Sequence, residues 1–170
     1  MYVAFYDYAM SICFKYANDK DDAVEIINDG FLKIFREIYN YKPLSEDLAF
    51  GFTSWFRRIM INTSIDHYRK NKHNHIFKDL GEEQENSTPA ADQDVLANLS
   101  YNELMKVIQE LSPAYRMVFN LYAVEGMTHK EVGEHLNITE GTSKSNFAKA
   151  RAFLQNKLLQ KSTKKEINAY

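Results

Sequence analysis

The stretch from Ser112 to Arg151, SPAYRMVFNLYAVEGMTHKEVGEHLNITEGTSKSNFAKAR, carries start and stop signals for three short helices, and the last two have helix-turn-helix spacing. Ser112 is a natural N-cap, and Pro113 suits the first helical position, where a missing N–H costs nothing. Met117, Val118, Leu121 and Tyr122 predict one buried face, and Gly126 ends that helix. Thr128 and Glu131 form a capping-box pattern, with Val132 and Leu136 facing inward. Gly133 falls where two crossing helices would leave no room for a larger side chain. The turn calls for a left-handed residue, and Asn137 is the type best tolerated there after glycine. Ile138 fills the corner.

Thr139 caps the third helix, and Ser143, Phe147, Ala150 and Leu154 fall at helical spacing on its inward face. The complementary face carries Glu140, Gly141, Lys144, Ser145, Ala148 and Lys149. Between Gly141 and Lys165 the chain places Lys144, Lys149, Arg151, Lys157, Lys161, Lys164 and Lys165 with no acid among them. Such a run suits phosphate. Two readings fit the spacing: a DNA-binding domain whose last helix enters the major groove, and a helical bundle with a solvated basic face.

The remaining residues bound what else is present. With 170 residues and 45% hydrophobic content the chain can bury one core or two small ones. Its single cysteine, Cys13, excludes an internal disulfide and any cysteine-rich metal site, and reads as a buried inert thiol. No apolar run is long enough to cross a membrane and no signal peptide is evident, so a cytoplasmic protein without membrane insertion is expected. The net charge of −2 argues against indiscriminate nucleic-acid binding.

Along the chain the pattern predicts an all-α protein, two small helical domains joined by a flexible acidic linker. Aromatic residues at helical period fill positions 1 to 17, and the acidic turn at Asp19 to Asp22 starts a helix running to about Tyr39. A loop with Pro43 and Gly51 leads to a third helix over about Thr53 to Lys72. Asp79 to Asp94 holds six acids and no base, which predicts the linker. A helix from about Val95 to Gln109 follows. On the third helix Phe52, Trp55, Phe56, Ile59, Met60 and Thr63 point inward, with Trp55 read as core, while Arg58, Asn62, Asp66 and Arg69 line another face. Phe50 and Phe52, at the end of the preceding loop, are candidates for stacking on unpaired bases. His67, His73 and His75 fit no common metal-ligand spacing and read as histidines near DNA, so neither metal nor cofactor is expected.

Three segments in order, DDAVEIINDGFLKIF, FTSWFRRIMINTSIDHYRK and LSPAYRMVFNLYAVEGMTHKEVGEHLNITEGTSKSNFAKAR, resemble regions 2 and 4 of the sigma-70 family, of the small extracytoplasmic-function (ECF) type. The resemblance implies a transcription initiation factor and not an enzyme. It divides the chain into region 2 (1–75), a linker (76–94), region 4 (95–160) and a basic tail (161–170). Glu25, Asn28, Asp29, Phe31 and Arg36 match the helix that docks on core RNA polymerase. Asn62, Asp66 and Arg69 match the N-x3-D-x2-R pattern of the helix that reads the minus-ten promoter element, with Phe50, Phe52, Arg58 and Lys70 beside it. The loop from Asn40 to Phe52 matches the segment that captures a flipped base. Thr128, Glu140, Gly141, Thr142, Lys144, Ser145, Asn146, Lys149 and Arg151 match the reader of the minus-thirty-five duplex. The family usually carries a larger apolar residue at 143 and Arg or His at 146 and 148, so this chain has fewer long donors there. The implied partners are core polymerase, promoter DNA and an anti-sigma factor. The alternative from the residues themselves is a one-component regulator whose N-terminal helices sense a ligand.

Overall fold

The computed structural model describes residues 1–42, 47–79 and 101–167, with side chains over 1–42, 47–71 and 103–160. The Pro43 turn, most of the expected acidic linker, the start of its following helix and the expected basic tail's side chains lie outside this set. Every regular element among the described residues is helical: α1 (Tyr2–Cys13), α2 (Lys20–Glu37) with a 3-10 turn at Ile38–Asn40, α3 (Leu48–Asp79), α4 (Tyr101–Gln109), α5 (Pro113–Phe119), α6 (His129–Leu136) and α7 (Glu140–Ile167). The chain divides into two compact units, Met1–His73 and Asn74–Tyr170.

In the first unit α2 has the strongest local determinants. Asp19 caps it, its side chain accepting from the Asp22 amide at 2.8 Å, and Asp22 in turn accepts from the Asn18 amide at 2.7 Å. Asp21 and Asp22 in the first turn and Arg36 in the last complement the helix dipole. Ala23, Ile26, Ile27, Gly30, Phe31 and Ile34 make one buried stripe at helical spacing. Ala9, Ile12 and Cys13 of α1 and Phe56, Met60 and Ile65 of α3 are buried in the same unit, where Phe31 meets Phe56 with ring centroids 5.6 Å apart. A Cβ at Gly30 would lie 2.5 Å from the Met60 sulfur, so the missing side chain makes room for Met60. Burial pushes the Cys13 thiol up to about 12, partly opposed by a hydrogen bond with Ser64, which makes it unreactive near neutral pH.

Two boundaries differ from those expected. The α1 helix ends at Cys13 rather than near residue 17, and Tyr16 and Ala17 are buried within the following turns. The α3 helix begins at Leu48, five residues before Thr53, because Asp47 accepts from the amides of Ala49 and Phe50, both at 3.0 Å. That aspartate is the N-cap the sequence reading passed over.

In the second unit Val107, Ile108 and Leu111 pack on Ala150, Leu154 and Leu158 of α7, with Tyr115, Phe119 and Phe153 around them. The buried Arg116 ties α5 to α4, donating from Nη1 to the Gln109 carbonyl at 3.0 Å and to its Oε1 at 3.1 Å. Pro113 occupies the first turn as expected, but Ser112 does not cap with its side chain, and its buried Oγ makes no hydrogen bond. Instead its carbonyl accepts from the Arg116 amide at 2.9 Å, closing the first helical turn through the backbone. The expected run to Gly126 widens into a π-helical turn over Asn120–Val124 before Gly126 reverses the chain at φ 74°.

The helix-turn-helix itself follows the sequence closely. Thr128 and Glu131 form a reciprocal capping box. Asn137 sits at φ 53° and ψ 49°, in the left-handed region. A Cβ at Gly133 would stand 2.9 Å from the Ile138 carbonyl oxygen. Thr139 Oγ1 accepts from the Thr142 amide at 3.0 Å, starting α7.

Candidate nucleic-acid interface

Packing of α3 decides which of its residues face outward. Phe56, Met60 and Thr63 are buried, so the opposite side presents Arg58, Asn62, Asp66 and Lys70 as an exposed polar stripe, with Arg69 half-buried beside it. The Asp66 carboxylate lies between two cations. Its Oδ2 accepts from Lys33 Nζ of α2 at 2.9 Å, and its Oδ1 is 3.6 Å from Arg69 Nη1. An open groove of about 410 Å³ runs here, lined by Asp29, Lys33, Thr63, Asp66, His67, Arg69 and Lys70.

The next residue, His67, is buried and also faces α2. Asp22 Oδ1 lies 3.4 Å from its Nδ1, and Glu25 Oε2 lies 3.6 Å from its Nε2. One ligand-type atom from each of Asp22, Glu25 and His67 lies within 4.8 Å of the other two, so the three side chains form one cluster. Glu25 is 69% exposed in this cluster, and exposed acids commonly stand beside a histidine without an ion. His67 was expected near DNA, and its burial against α2 corrects that reading. The side chains of His73 and His75 lie outside the described residues.

Aromatic residues at the start of α3 separate into two roles. Phe50 is 66% exposed and free to stack on a base. Phe52, expected both to pack inward and to stack on a base, takes the first role: it lies inside an aromatic cluster, with ring centroids 5.4 Å from Phe5, 5.9 Å from Tyr41 and 5.7 Å from Trp55. Trp55 is half-buried there, 4.8 Å from Tyr41, at the edge of the core rather than within it. Tyr39 and Leu48 are also exposed, at 94% and 65%.

On α2, Glu25, Asn28 and Arg36 are exposed and Asp29 is half-buried. Asn28 Oδ1 accepts from the Tyr2 hydroxyl at 2.9 Å. Phe31, expected at the docking surface, is only 2% exposed and belongs to the core, its ring 4.5 Å from Tyr2 and 5.6 Å from Phe56. The apolar groups that α2 does present are Leu32 and Phe35. Their signal was available: both fall off the inward stripe marked by Ile27, Phe31 and Ile34.

In the second unit Glu140, Gly141, Thr142, Lys144, Ser145, Ala148, Lys149 and Arg151 are exposed, and Asn146 is half-buried. Ser143, Ala150 and Leu154 are buried on the opposite side. The exposed face is not uniformly basic, because Lys144 Nζ lies 2.7 Å from Glu140 Oε1 and holds that carboxyl below its usual range, first by hydrogen bonding and then by charge. Thr128 is exposed, but its hydroxyl is engaged with Glu131 Oε2 at 2.7 Å. His129 went unremarked in the sequence. Its ring stacks 4.1 Å from Tyr122, and its Nδ1 is hydrogen-bonded to Ser143 Oγ at 3.0 Å, joining the first turn of α6 to α7. That contact explains a serine on the packed face of the recognition helix.

A three-helix unit bearing a polar helical stripe, together with a helix-turn-helix whose last helix shows a partly basic face, defines a class of DNA-binding transcription proteins. Residues 1–74 match the family model for sigma-70 region 2, and residues 101–154 match that for sigma-70 region 4. The chain belongs to the sigma-70 family, and relatives of it are named as ECF sigma factors. The ECF RNA polymerase sigma factor SigE of Mycolicibacterium smegmatis is 24% identical over 92% of this chain and 60% of that protein. The sigma factor SigW of Bacillus subtilis is 26% identical over 89% of this chain and 83% of its own length. Among solved structures, the sigma factor RpoE from Bartonella quintana, crystallised with the anti-sigma factor NepR, matches with a TM-score of 0.51 at 20% identity over 94% of each chain, a likeness of fold. Members of this family are initiation factors and not enzymes. No described helix is long and apolar enough to cross a membrane.

Proposed function

We propose that this chain binds core RNA polymerase through α2, directs it to specific promoters, and reads two DNA elements by different means. The exposed faces of Glu25, Asn28, Asp29 and Arg36, joined by Leu32 and Phe35, serve as the polymerase-docking surface. The α3 stripe of Arg58, Asn62, Asp66, Arg69 and Lys70 reads the minus-ten element as it melts, with Phe50 stacking on an unpaired base. Unstacking a base costs a few kcal/mol, and a pocket with an aromatic wall and an amide such as Asn62 returns that energy only for a fitting base. The exposed face of α7, with Glu140, Gly141, Thr142, Lys144, Ser145, Asn146, Lys149 and Arg151, reads the minus-thirty-five element as duplex.

The observation that carries this reading is the separation of faces on α3. Its core residues turn Asn62 and Asp66 outward at one helical turn's spacing, as a reader of bases requires. The division into region 2 (1–75), linker (76–94), region 4 (95–160) and tail (161–170) is part of the same proposal, as is work in the cytoplasm, where polymerase is. An anti-sigma factor is the expected inhibitor, since the RpoE of the structural likeness was crystallised with one.

Purified protein incubated with bacterial core polymerase, then used in transcription from a promoter library, tests the reading. Core binding with transcripts that depend on two sequence elements is the expected result. Absence of core binding, together with tight operator binding by the protein alone, would support the one-component regulator instead.

A further inference from the structure

Asp66, on the outward stripe of α3, is held from another helix. We propose that Lys33 is a positioning residue for minus-ten recognition, acting through the Asp66 carboxylate; this deepens the function proposed above and rests on it. Lys33 stands one helical turn beyond Asp29 on α2, so the helix assigned to polymerase docking also supplies the cation that orients a base-reading side chain. Its ammonium holds Asp66 Oδ2 at 2.9 Å, while Asp66 Oδ1 stays 3.6 Å from Arg69 Nη1. One carboxylate thereby spaces two cations.

The pair is half-exposed, with side-chain accessibilities of 39% and 49%, and such pairs contribute little to stability. Orientation and charge are what it can supply. The open groove beside it leaves Asp66 room to turn. Without Lys33 the carboxylate swings fully onto Arg69 and draws both groups off the outward stripe. It also stands less neutralised before a polyanion, where an uncompensated acid repels phosphate. His67, the following residue, is tied to α2 near Asp22 and Glu25, so the backbone of α3 keeps its place when Lys33 is lost.

The test uses the full chain bound to core polymerase and a fluorescent single strand carrying the minus-ten sequence selected from the promoter library. Lys33→Met is expected to weaken strand binding about fivefold while core affinity and melting temperature stay near wild type. Lys33→Arg, which keeps the charge, should restore most of the loss. In an Asp66→Asn background, Lys33→Met should add nothing, because the group it acts through has lost its charge. Strand binding by Lys33→Met equal to wild type would overturn the proposal, as would a loss that persists in the Asp66→Asn background, which would make Lys33 a direct phosphate contact. A wild-type complex that binds no promoter strand would overturn the functional reading itself.

Discussion

At the residue scale the helix-turn-helix depends on a few backbone and capping positions. The Gly133 site has no slack, since a Cβ would meet the backbone carbonyl of Ile138 at 2.9 Å and neither side of that contact is a flexible side-chain end. Gly133→Ala is therefore expected to cost about 1–3 kcal/mol, read as a lower denaturation midpoint in urea, by forcing α6 away from the turn. The capping box gives the same unit a pH dependence. Backbone and hydroxyl hydrogen bonds from Thr128 lower the Glu131 carboxyl from its ordinary value of 4.5. A carboxyl depressed on folding stabilises fully above its unfolded value and loses that contribution as pH falls through the folded one. Thermal melts should show wild type losing stability more steeply than Glu131→Gln as the pH drops below 4.5, and equal slopes would refute the assignment.

At the scale of the element, charge on a helix counts only after its partners are known. Seven cations run from Gly141 to Lys165 in the sequence, but on the exposed face of α7 the Lys144 ammonium is already paired with Glu140 at 2.7 Å. Glu140→Gln should free it for phosphate, tightening binding of the polymerase complex to minus-thirty-five duplex and steepening the salt dependence by about one unit. Fluorescence titrations across a salt series would show this, and weaker binding would mean that Glu140 accepts a hydrogen bond from a base. The recognition helix was legible in advance because its pattern is local: a cap at Thr139, a left-handed Asn137, and apolar or small residues at one helical spacing. The start of α3 was not, because its cap, Asp47, stands in a stretch between Pro43 and Gly51 with the composition of a loop, and only its bonds to the Ala49 and Phe50 amides mark it. The consequence reached the site, since Phe52 entered the aromatic cluster and left Phe50 as the exposed ring.

At the scale of the whole molecule the proposed division of labour makes its own prediction. Asn62→Ala, on the outward stripe of α3, is expected to impair open-complex formation while core affinity stays near wild type. Asp29→Lys, on α2, is expected to weaken core binding itself. Native-gel titration with core polymerase and permanganate footprinting of melted thymines separate the two steps, and loss of the same step in both variants would sink the division.

The sequence by itself determined the helical class, the caps and left-handed turn of the helix-turn-helix, the inward stripes of α2 and α7, and the order of motifs that marks the family. These are contacts within a turn or two of helix, where side-chain period and capping chemistry act over a few residues. Tertiary structure alone decided that His67 faces Asp22 and Glu25 and that Lys33 holds Asp66. Each of those depends on which face of one helix meets which face of another, a choice made by the packing of Gly30 against Met60 and of Phe31 against Phe56, which spacing along a single helix does not encode.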